Sequence, residues 1–348
     1  MIKDIKIAHN TIGINHKPFI IAEMSGNHNQ SLDRALELVD AAAHAGAHAL
    51  KLQTYTADTI SMKGVFTIND KNSLWNGKEL FDLYSSAFTP WEWHKLIFQR
   101  AKEKGMVAFS SPFDETAVDF LETLNVPAYK IASFENTHHP LLKRVAATGK
   151  PVIVSTGVAT IQDIAESVSV IRNAGCNEII LLKCTSTYPA SPENTNIITI
   201  PHLTQLHNCI TGISDHTMGV GVSVAAVALG ARVIEKHFTL KRSDGGVDSV
   251  FSLEPDELKS LVVESERAFL ALGNIQYGIQ PSEENSLLFK RSIYVSSDMK
   301  SGDLISEYNI KIIRPGYGLE PKYFIMLLGK KINKDVIKGS PFNWDLLG

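Results

Sequence analysis

The 348-residue chain is poor in cysteine, in net charge and in long apolar runs, and each shortage removes a class of protein. Its three cysteines, Cys176, Cys184 and Cys209, form no CxxC pair and cannot pair off evenly. A disulfide framework is excluded on that ground, and a reducing cytoplasm is the natural setting. Against 37 acidic residues stand 34 basic ones, a formal charge of −3. No bulk positive field exists to hold nucleic acid or an acidic membrane, although a local basic pocket is compatible with that balance. The longest nearly apolar stretch, Val220 to Ala231, has 12 residues and carries Ser and Gly, too short to span a bilayer. The opening MIKDIKIAHN is too regularly polar for a signal peptide. With 44% hydrophobic residues the chain is neither disordered nor fibrous, and its length suggests two domains or three.

What is present is a repeating grammar over the first 270 or so residues. A short apolar, β-branched run turns polar, and a helix-like segment follows. The runs are Pro18–Met24, Ala49–Tyr55, Met106–Pro112, Ala128–Ser133, Val152–Thr156, Glu178–Cys184, Cys209–Asp215 and Arg232–Phe238. Their starts lie 22 to 31 residues apart except for one gap of 57 after the second. Between them, Ser31–Ala45, Thr89–Lys104, Asp114–Leu124, Ile161–Ala174 and Glu254–Leu272 read as helices; the first has a Ser cap, a Leu32/Ala35/Leu36/Val39 stripe and a stop at Gly46. Eight such units predict a closed (β/α)₈ (TIM) barrel over residues 1–272. A doubly wound sheet is the alternative, but its Gly-rich first turn is missing. The long gap holds an insertion, Thr56–Phe88, expected above the barrel mouth. Two short alternating runs, Ile5–Ala8 and Ile12–Ile14, suggest a hairpin plugging the floor. Residues 273–285, polar and marked by Gly and Pro, read as a linker, and 286–348 as a separate small β-rich domain.

In a parallel barrel the chemistry sits at the C-terminal ends of the strands, and all eight runs become polar at that end. Four lysines, Lys51, Lys130, Lys183 and Lys236, lie inside apolar strands, where an unpaired ammonium is costly. Facing inward, they would need an anion, and Ser111, Ser133, Ser155 and Ser214 would add donors, so the mouth reads as a pocket for a phosphate and a carboxylate. Structural ion pairs with Glu23 or Glu235 are the competing use. His216 and His237 end neighbouring strands, where two imidazoles suit a divalent metal; ordinary core or surface histidines are the alternative. Glu23 is a general acid/base in an apolar strand or, equally, the counter-ion of a pocket lysine.

Several segments resemble the sialic acid synthase (NeuB-like) family: IAEMSGNHNQSLDRALELVDAAAHAGAHALKLQTY, SSPFD (Ser110–Asp114), YKIAS, STG, SDH (Ser214–His216), EKHFT and SLEP. The tail IIRPGYGL resembles the antifreeze-like (SAF) domain of these proteins. The resemblance spans essentially the whole chain. It implies a metal-dependent condensation of phosphoenolpyruvate with an N-acetylated amino sugar, giving a nine-carbon 2-keto acid and phosphate, with Mn²⁺, Mg²⁺ or Co²⁺ as the ion. By motif, Lys51, Ser111, Lys130, Ser133, Ser155 and Ser214 would hold phosphoenolpyruvate, with Lys51 and Lys130 sharing the catalysis. His216 and His237 would bind the metal, and Glu23 would be the acid/base. Gln53, Glu135, Ser186, Tyr188, Asp248 and Arg314 would meet the sugar. The family also implies a domain-swapped homodimer with Arg314 reaching the other subunit.

The chain departs from the common sialic acid pattern at Gln30, Phe134, Ser186, Val247 and Tyr317. These departures favour the pseudaminic acid branch, whose acceptor is a 2,4-diacetamido-2,4,6-trideoxy hexose, and Phe134 would line a less polar wall. N-Acetylneuraminate or legionaminate synthesis from N-acetylmannosamine or a related sugar is the alternative. A barrel making a shorter keto acid from a phosphorylated sugar would not need the tail, and a degenerate barrel carrying an ice- or carbohydrate-binding module would not keep Glu23, Lys51, Lys130, His216 and His237.

Overall fold

The computed structural model describes residues 2–71 and 73–348, which divide at Gly273/Asn274 into two units. In the first unit each of the eight apolar runs forms a strand of the same barrel. A two-stranded hairpin, β1 (Ile5–Ile7) and β2 (Asn10–Ile12), precedes them. The barrel strands are β3 (Phe19–Glu23), β4 (Ala49–Thr54), β5 (Val107–Pro112), β6 (Tyr129–Ile131), β7 (Val152–Ser155), β8 (Ile179–Cys184), β9 (Ile210–Ser214) and β10 (Val233–His237). Each pairs in parallel with its sequence neighbour, and β10 closes on β3.

The strands are apolar on both faces because both faces are covered. From β3, Phe19 and Ile21 pack in one cluster with Ile5, Ile7 and Ile12 of the hairpin, so the hairpin does stopper the floor. Ile20 and Ala22 point the other way, onto Leu38, Val39 and Ala42 of the helix Leu32–His44. That helix begins where Ser31 accepts a hydrogen bond from the Arg34 N–H at 3.3 Å and ends before Gly46, whose φ of +88° suits glycine. Asp114 caps Glu115–Thr123, and Thr160 with Asp163 forms a reciprocal cap on Ile161–Asn173. Trp91–Glu103 and Pro255–Leu272 match the remaining expected helices to within two residues at each end. His139–Ala146, Thr199–His207 and Gly221–Ala228 complete the eight strand–helix units.

The insertion after β4 does cross the mouth. Its Trp75 indole N–H donates to the Val247 carbonyl at 3.3 Å, and the ring lies 5.9 Å from Tyr188. Among the described residues no helix is long and apolar enough to cross a membrane.

The second unit has its own core, built from Ile293, Val295, Met299, Ile305, Ile310, Leu327, Phe342 and Leu346. Its regular sheet is an antiparallel pair, β11 (Ser292–Val295) with β12 (Ile310–Ile313). The stretch read as a linker is not all irregular, since a 3₁₀ segment, Pro281–Phe289, begins inside it.

Gly212 of β9 faces Val233 of β10, and a Cβ there would sit 2.0 Å from the Val233 carbonyl oxygen and 2.8 Å from Leu182 Cδ2. Gly221, at the start of a helix, has nothing within 4 Å of that position. Gly212→Ala is therefore expected to destabilise the barrel by about 1–3 kcal/mol, whereas Gly221→Ala should be neutral or stabilising. Urea midpoints that move equally for the two variants would contradict this packing.

Candidate active site

Alternation along parallel strands decides which residues reach the barrel interior. Across the β9–β10 pair, Ser214 stands opposite Glu235, and the two residues that follow each run on in the same order, Asp215–His216 beside Lys236–His237. The first and third members of each triplet point inward, and the second points out. On the far side of β10, His237 stands opposite Glu23 of β3, and Glu23 in turn opposite Lys51 of β4. The inner ends of these strands therefore bring Glu23, Lys51, Lys130 and Glu235 together, each at most 5% exposed.

Lys51 Nζ forms an ion pair with Glu23 Oε2, reaches Ser111 Oγ at 3.1 Å and lies 3.8 Å from Glu235 Oε2. Lys130 Nζ is 3.3 Å from Glu235 Oε1, which also accepts from the Ser214 hydroxyl at 3.0 Å. Two ammonium groups and two carboxylates thus balance in a desolvated space. Burial, reinforced by the nearby Glu235 charge, raises the pKa of Glu23 despite Lys51. Burial also lowers that of Lys130. At Lys51 burial acts downward, but Glu23 and Glu235 outweigh it and the ammonium is held. The Glu23 carboxylate is also pinned at Oε1 by the Ser25 N–H at 2.9 Å, from a backbone turned to φ +48°.

A hydroxyl cradle adjoins these charges. Ser133 Oγ accepts from the Gly157 N–H at 3.1 Å, and a Cβ on Gly157 would fall 2.1 Å from Ser186 Oγ and 2.6 Å from Ser133 Oγ. The glycine is thus the space between two serines. Ser155 Oγ is buried with no hydrogen-bond partner. Such donors around two ammonium groups suit a phosphate with a carboxylate. Glu135 extends from the same 3₁₀ turn, Ser133–Glu135; its Oε2 is buried without a partner, and burial pushes its pKa up to about 7 against the pull of Lys130.

The two imidazoles have ring centroids 5.3 Å apart. His216 Nδ1 lies 3.0 Å from the Thr185 carbonyl oxygen, so in the neutral ring the proton belongs on Nδ1 and the lone pair on Nε2; Cys184 and that carbonyl raise its pKa against burial. Burial, with His216, Lys51 and Lys130 nearby, holds the pKa of His237 well below the usual histidine value, leaving a neutral ring at pH 7. Its Nδ1 has no hydrogen-bond partner and lies 3.6 Å from Asp248 Oδ2, which accepts from the Ser25 hydroxyl. One fixed lone pair and one neutral, orphaned ring fit a divalent ion. Among the described residues no three or more His, Cys, Asp or Glu side chains are arranged to hold an ion, so water or substrate oxygens would complete the shell. Tyr188, 4.5 Å from the His216 ring, and Phe251, 4.9 Å from the His237 ring, wall this side.

Most residues expected at the mouth meet there. Gln53 is half-buried on β4, two positions along from Lys51 on the same face. Two lysines do not join them. Lys236 faces the helix layer and pairs with Asp215 at 3.0 Å. Lys183 also lies on the outer face of β8 and donates to the Cys184 carbonyl at 2.8 Å and Thr185 Oγ1 at 3.3 Å. Phe134 is 62% exposed and lines no wall of the barrel pocket. Arg314 is exposed on the second unit, just after β12. Sequence reasoning missed Cys184, whose sulfur lies 3.7 Å from Ser186 Oγ and 3.9 Å from His216 Nδ1. Burial raises this thiol, but His216, Ser133 and Lys130 bring it down to about 7. Its one sequence signal was its place at the last position of a strand, alternating with Lys183. Phe251 sits in a short 3₁₀ turn and had no signal.

Comparison with known proteins adds a family to this geometry. The NeuB family model matches residues 38–277, and the SAF domain model matches residues 290–348. A pseudaminic acid synthase of Campylobacter jejuni is 44% identical over 92% of this chain and 94% of its own length. One of Helicobacter pylori is 39% identical over 94% of this chain and 97% of its own. Among solved structures, the N-acetylneuraminic acid synthetase of Leptospira borgpetersenii superposes with a TM-score of 0.74 at 33% identity, covering 82% of this chain and 95% of that one.

The Glu135 carboxyl titrates near 7 in the folded chain and near 4.5 in an unfolded one. Between those values the folded chain holds a proton that the unfolded chain has released. This group's contribution to stability therefore falls as pH rises through the window, by about 1.4 kcal/mol per pH unit. Glu135→Gln should raise the melting temperature by several degrees at pH 8, leave it unchanged at pH 4 and lower activity. A melting temperature at pH 8 no higher than that of the unsubstituted protein would sink this reading of Glu135.

Proposed function

This chain belongs to the NeuB family, and we propose that it is a pseudaminic acid synthase. In this reading it joins phosphoenolpyruvate to 2,4-diacetamido-2,4,6-trideoxy-L-altrose in the cytoplasm, giving pseudaminic acid and inorganic phosphate. The observation that carries the proposal is the neutral cluster of Lys51, Lys130, Glu23 and Glu235 beside two imidazoles, in a chain whose relatives of that name align with it almost end to end. The three cysteines are free and buried, which accords with a reducing compartment.

Phosphoenolpyruvate brings negative charge to a cluster already in balance. Lys51 and Lys130 turn toward its phosphate and carboxylate, with Ser111, Ser133, Ser155 and Ser214 supplying further donors. Glu23 then loses part of its ammonium partner, and a buried carboxylate so released holds a proton more strongly. The counter-ion and the acid/base are in this way one residue in two states. The sugar lies between Gln53, Glu135, Tyr188 and Asp248, with its open-chain aldehyde toward the imidazoles. His216 and His237 would hold a divalent ion, whose Lewis acidity would polarise that aldehyde. The methylene carbon of phosphoenolpyruvate attacks the aldehyde carbon, forming the carbon–carbon bond, and the aldehyde oxygen takes up the proton that Glu23 holds. Positive charge develops at the enol carbon, and water oriented by Glu23 adds there and yields its proton to that carboxylate. The tetrahedral centre then breaks its carbon–oxygen bond to phosphate, its hydroxyl proton leaves with that phosphate, and the 2-keto acid remains.

Purified protein should release phosphate with this altrose derivative and hardly any with N-acetylmannosamine. Chelation should abolish the reaction, with Mn²⁺, Mg²⁺ or Co²⁺ restoring it. Glu23→Gln should lose roughly 10²–10⁴-fold in kcat while still binding phosphoenolpyruvate. A higher kcat/KM for N-acetylmannosamine would replace the proposed branch by plain sialic acid synthesis, and full activity after exhaustive metal removal would end the metal assignment.

Homodimerisation, with Arg314 completing the sugar site of the other subunit, belongs to the same proposal. Co-expressed Arg314→Ala and Glu23→Ala chains, each nearly inactive alone, should recover about a quarter of the full activity, because half of randomly paired dimers contain one intact site. No recovery from heterodimers verified by mass would assign Arg314 to its own subunit.

A further inference from the structure

Behind the two imidazoles, on the outer face of β9 and β10, lies a charged pair that the proposed chemistry never touches. The Asp215 and Lys236 side chains are 0% exposed and 3.0 Å apart. Asp215 Oδ1 accepts from the Thr217 N–H at 2.9 Å and the Thr217 hydroxyl at 2.8 Å. Asp215 Oδ2 accepts from the Ser223 hydroxyl at 2.6 Å as well as from Lys236. Lys236 also donates to the Thr217 carbonyl at 2.7 Å. The network therefore grips the residues on both sides of His216. It is anchored in β10 at the residue immediately before His237. The Asp215 N–H, at 2.9 Å from the Glu235 carbonyl, carries the strand ladder into the same segment.

A buried ion pair is a weak device for stability, because desolvating two charges offsets most of their attraction. What this one does is fix geometry, since five hydrogen bonds converge on one turn and one strand end. We propose that Asp215 and Lys236 are positioning residues for the two-imidazole site, holding His216 and His237 at the separation and orientation that a shared divalent ion requires. The inference rests on the metal role proposed for the two histidines. It assigns neither Asp215 nor Lys236 to the substrate pocket, because both point away from it.

The test replaces the pair by an apolar one, Asp215→Leu with Lys236→Met, which keeps the volume filled and leaves no orphaned charge. This double variant should melt within a few degrees of the unsubstituted protein and bind phosphoenolpyruvate unchanged, since Lys51 and Lys130 lie on the other face. Mn²⁺ binding, read by the free-ion electron paramagnetic resonance signal without substrate, should weaken roughly 10–100-fold. Equal Mn²⁺ affinity in the two proteins would overturn the proposal, as would a parallel loss of phosphoenolpyruvate affinity, which marks general loosening of the barrel. If the double variant does not fold, Ser223→Ala carries the test. It deletes one hydrogen bond to Asp215, and a several-fold weakening of Mn²⁺ binding is expected where no change would refute the idea. If the unsubstituted protein binds no Mn²⁺, the metal reading fails by itself. Long-range ¹⁵N spectra of the histidine rings then decide the positioning role. The unsubstituted protein should give one tautomer for His216 and the variants a mixture, and identical spectra overturn the proposal.

Discussion

Charge balance inside a closed barrel is the constraint on which the rest of this site depends. Lys51 and Lys130 are each at most 3% exposed, and neither would stay charged there without Glu23 and Glu235. The four groups come from β3, β4, β6 and β10, so their mutual neutralisation also ties the opening and closing strands of the barrel together. Replacing any one of them leaves a buried charge of the opposite sign without its partner. The cluster is accordingly a unit, in which a change at one position alters the proton affinity of the others. It also explains how a pocket for a highly charged anion can exist in a chain of net charge −3. The positive charge is local, and Glu23 and Glu235 neutralise it.

Much of the architecture is legible in the sequence because barrel strands announce themselves by apolar runs that turn polar at one end. All eight strands fall inside the expected runs, and the caps at Ser31, Asp114 and Thr160 mark helix starts for the reason their side chains give, an oxygen facing unpaired N–H groups. The direction in which each strand residue points is not legible in the same way. In a sheet covered on both faces the period-2 signal disappears, so a lysine within a run can belong to either side. Lys51 and Lys130 belong to the interior and Lys183 and Lys236 to the outside, and nothing in the runs themselves separates the two pairs. Once two adjacent strands are set in register, the pattern Ser214-Asp215-His216 against Glu235-Lys236-His237 resolves itself into two inward layers and one outward.

The remaining surprises lie in loops and turns, where side-chain direction follows from local backbone geometry. Phe134 stands between two residues directed at the pocket and itself points to solvent, because three residues of a 3₁₀ turn project in three directions. Trp75 and Phe251 come from segments with no periodic signal, yet they meet Tyr188 and turn a polar mouth into one with an aromatic side. A sugar carrying acetamido and methyl groups in place of hydroxyls suits such a wall better than a fully hydroxylated one.

The barrel closes where β10 pairs with β3, and that seam is also where His237 faces Glu23. The first barrel strand made during translation and the last one must therefore meet before this seam exists. A nascent chain still lacking β10 has Glu23 and His216 but neither Glu235 nor His237. A fragment ending before β10 would lack two of the groups that face the barrel mouth from this seam. Complementary fragments would have to reassemble across this junction to rebuild the barrel. Loss of β10 alone would thus open the barrel and part Glu23 from His237.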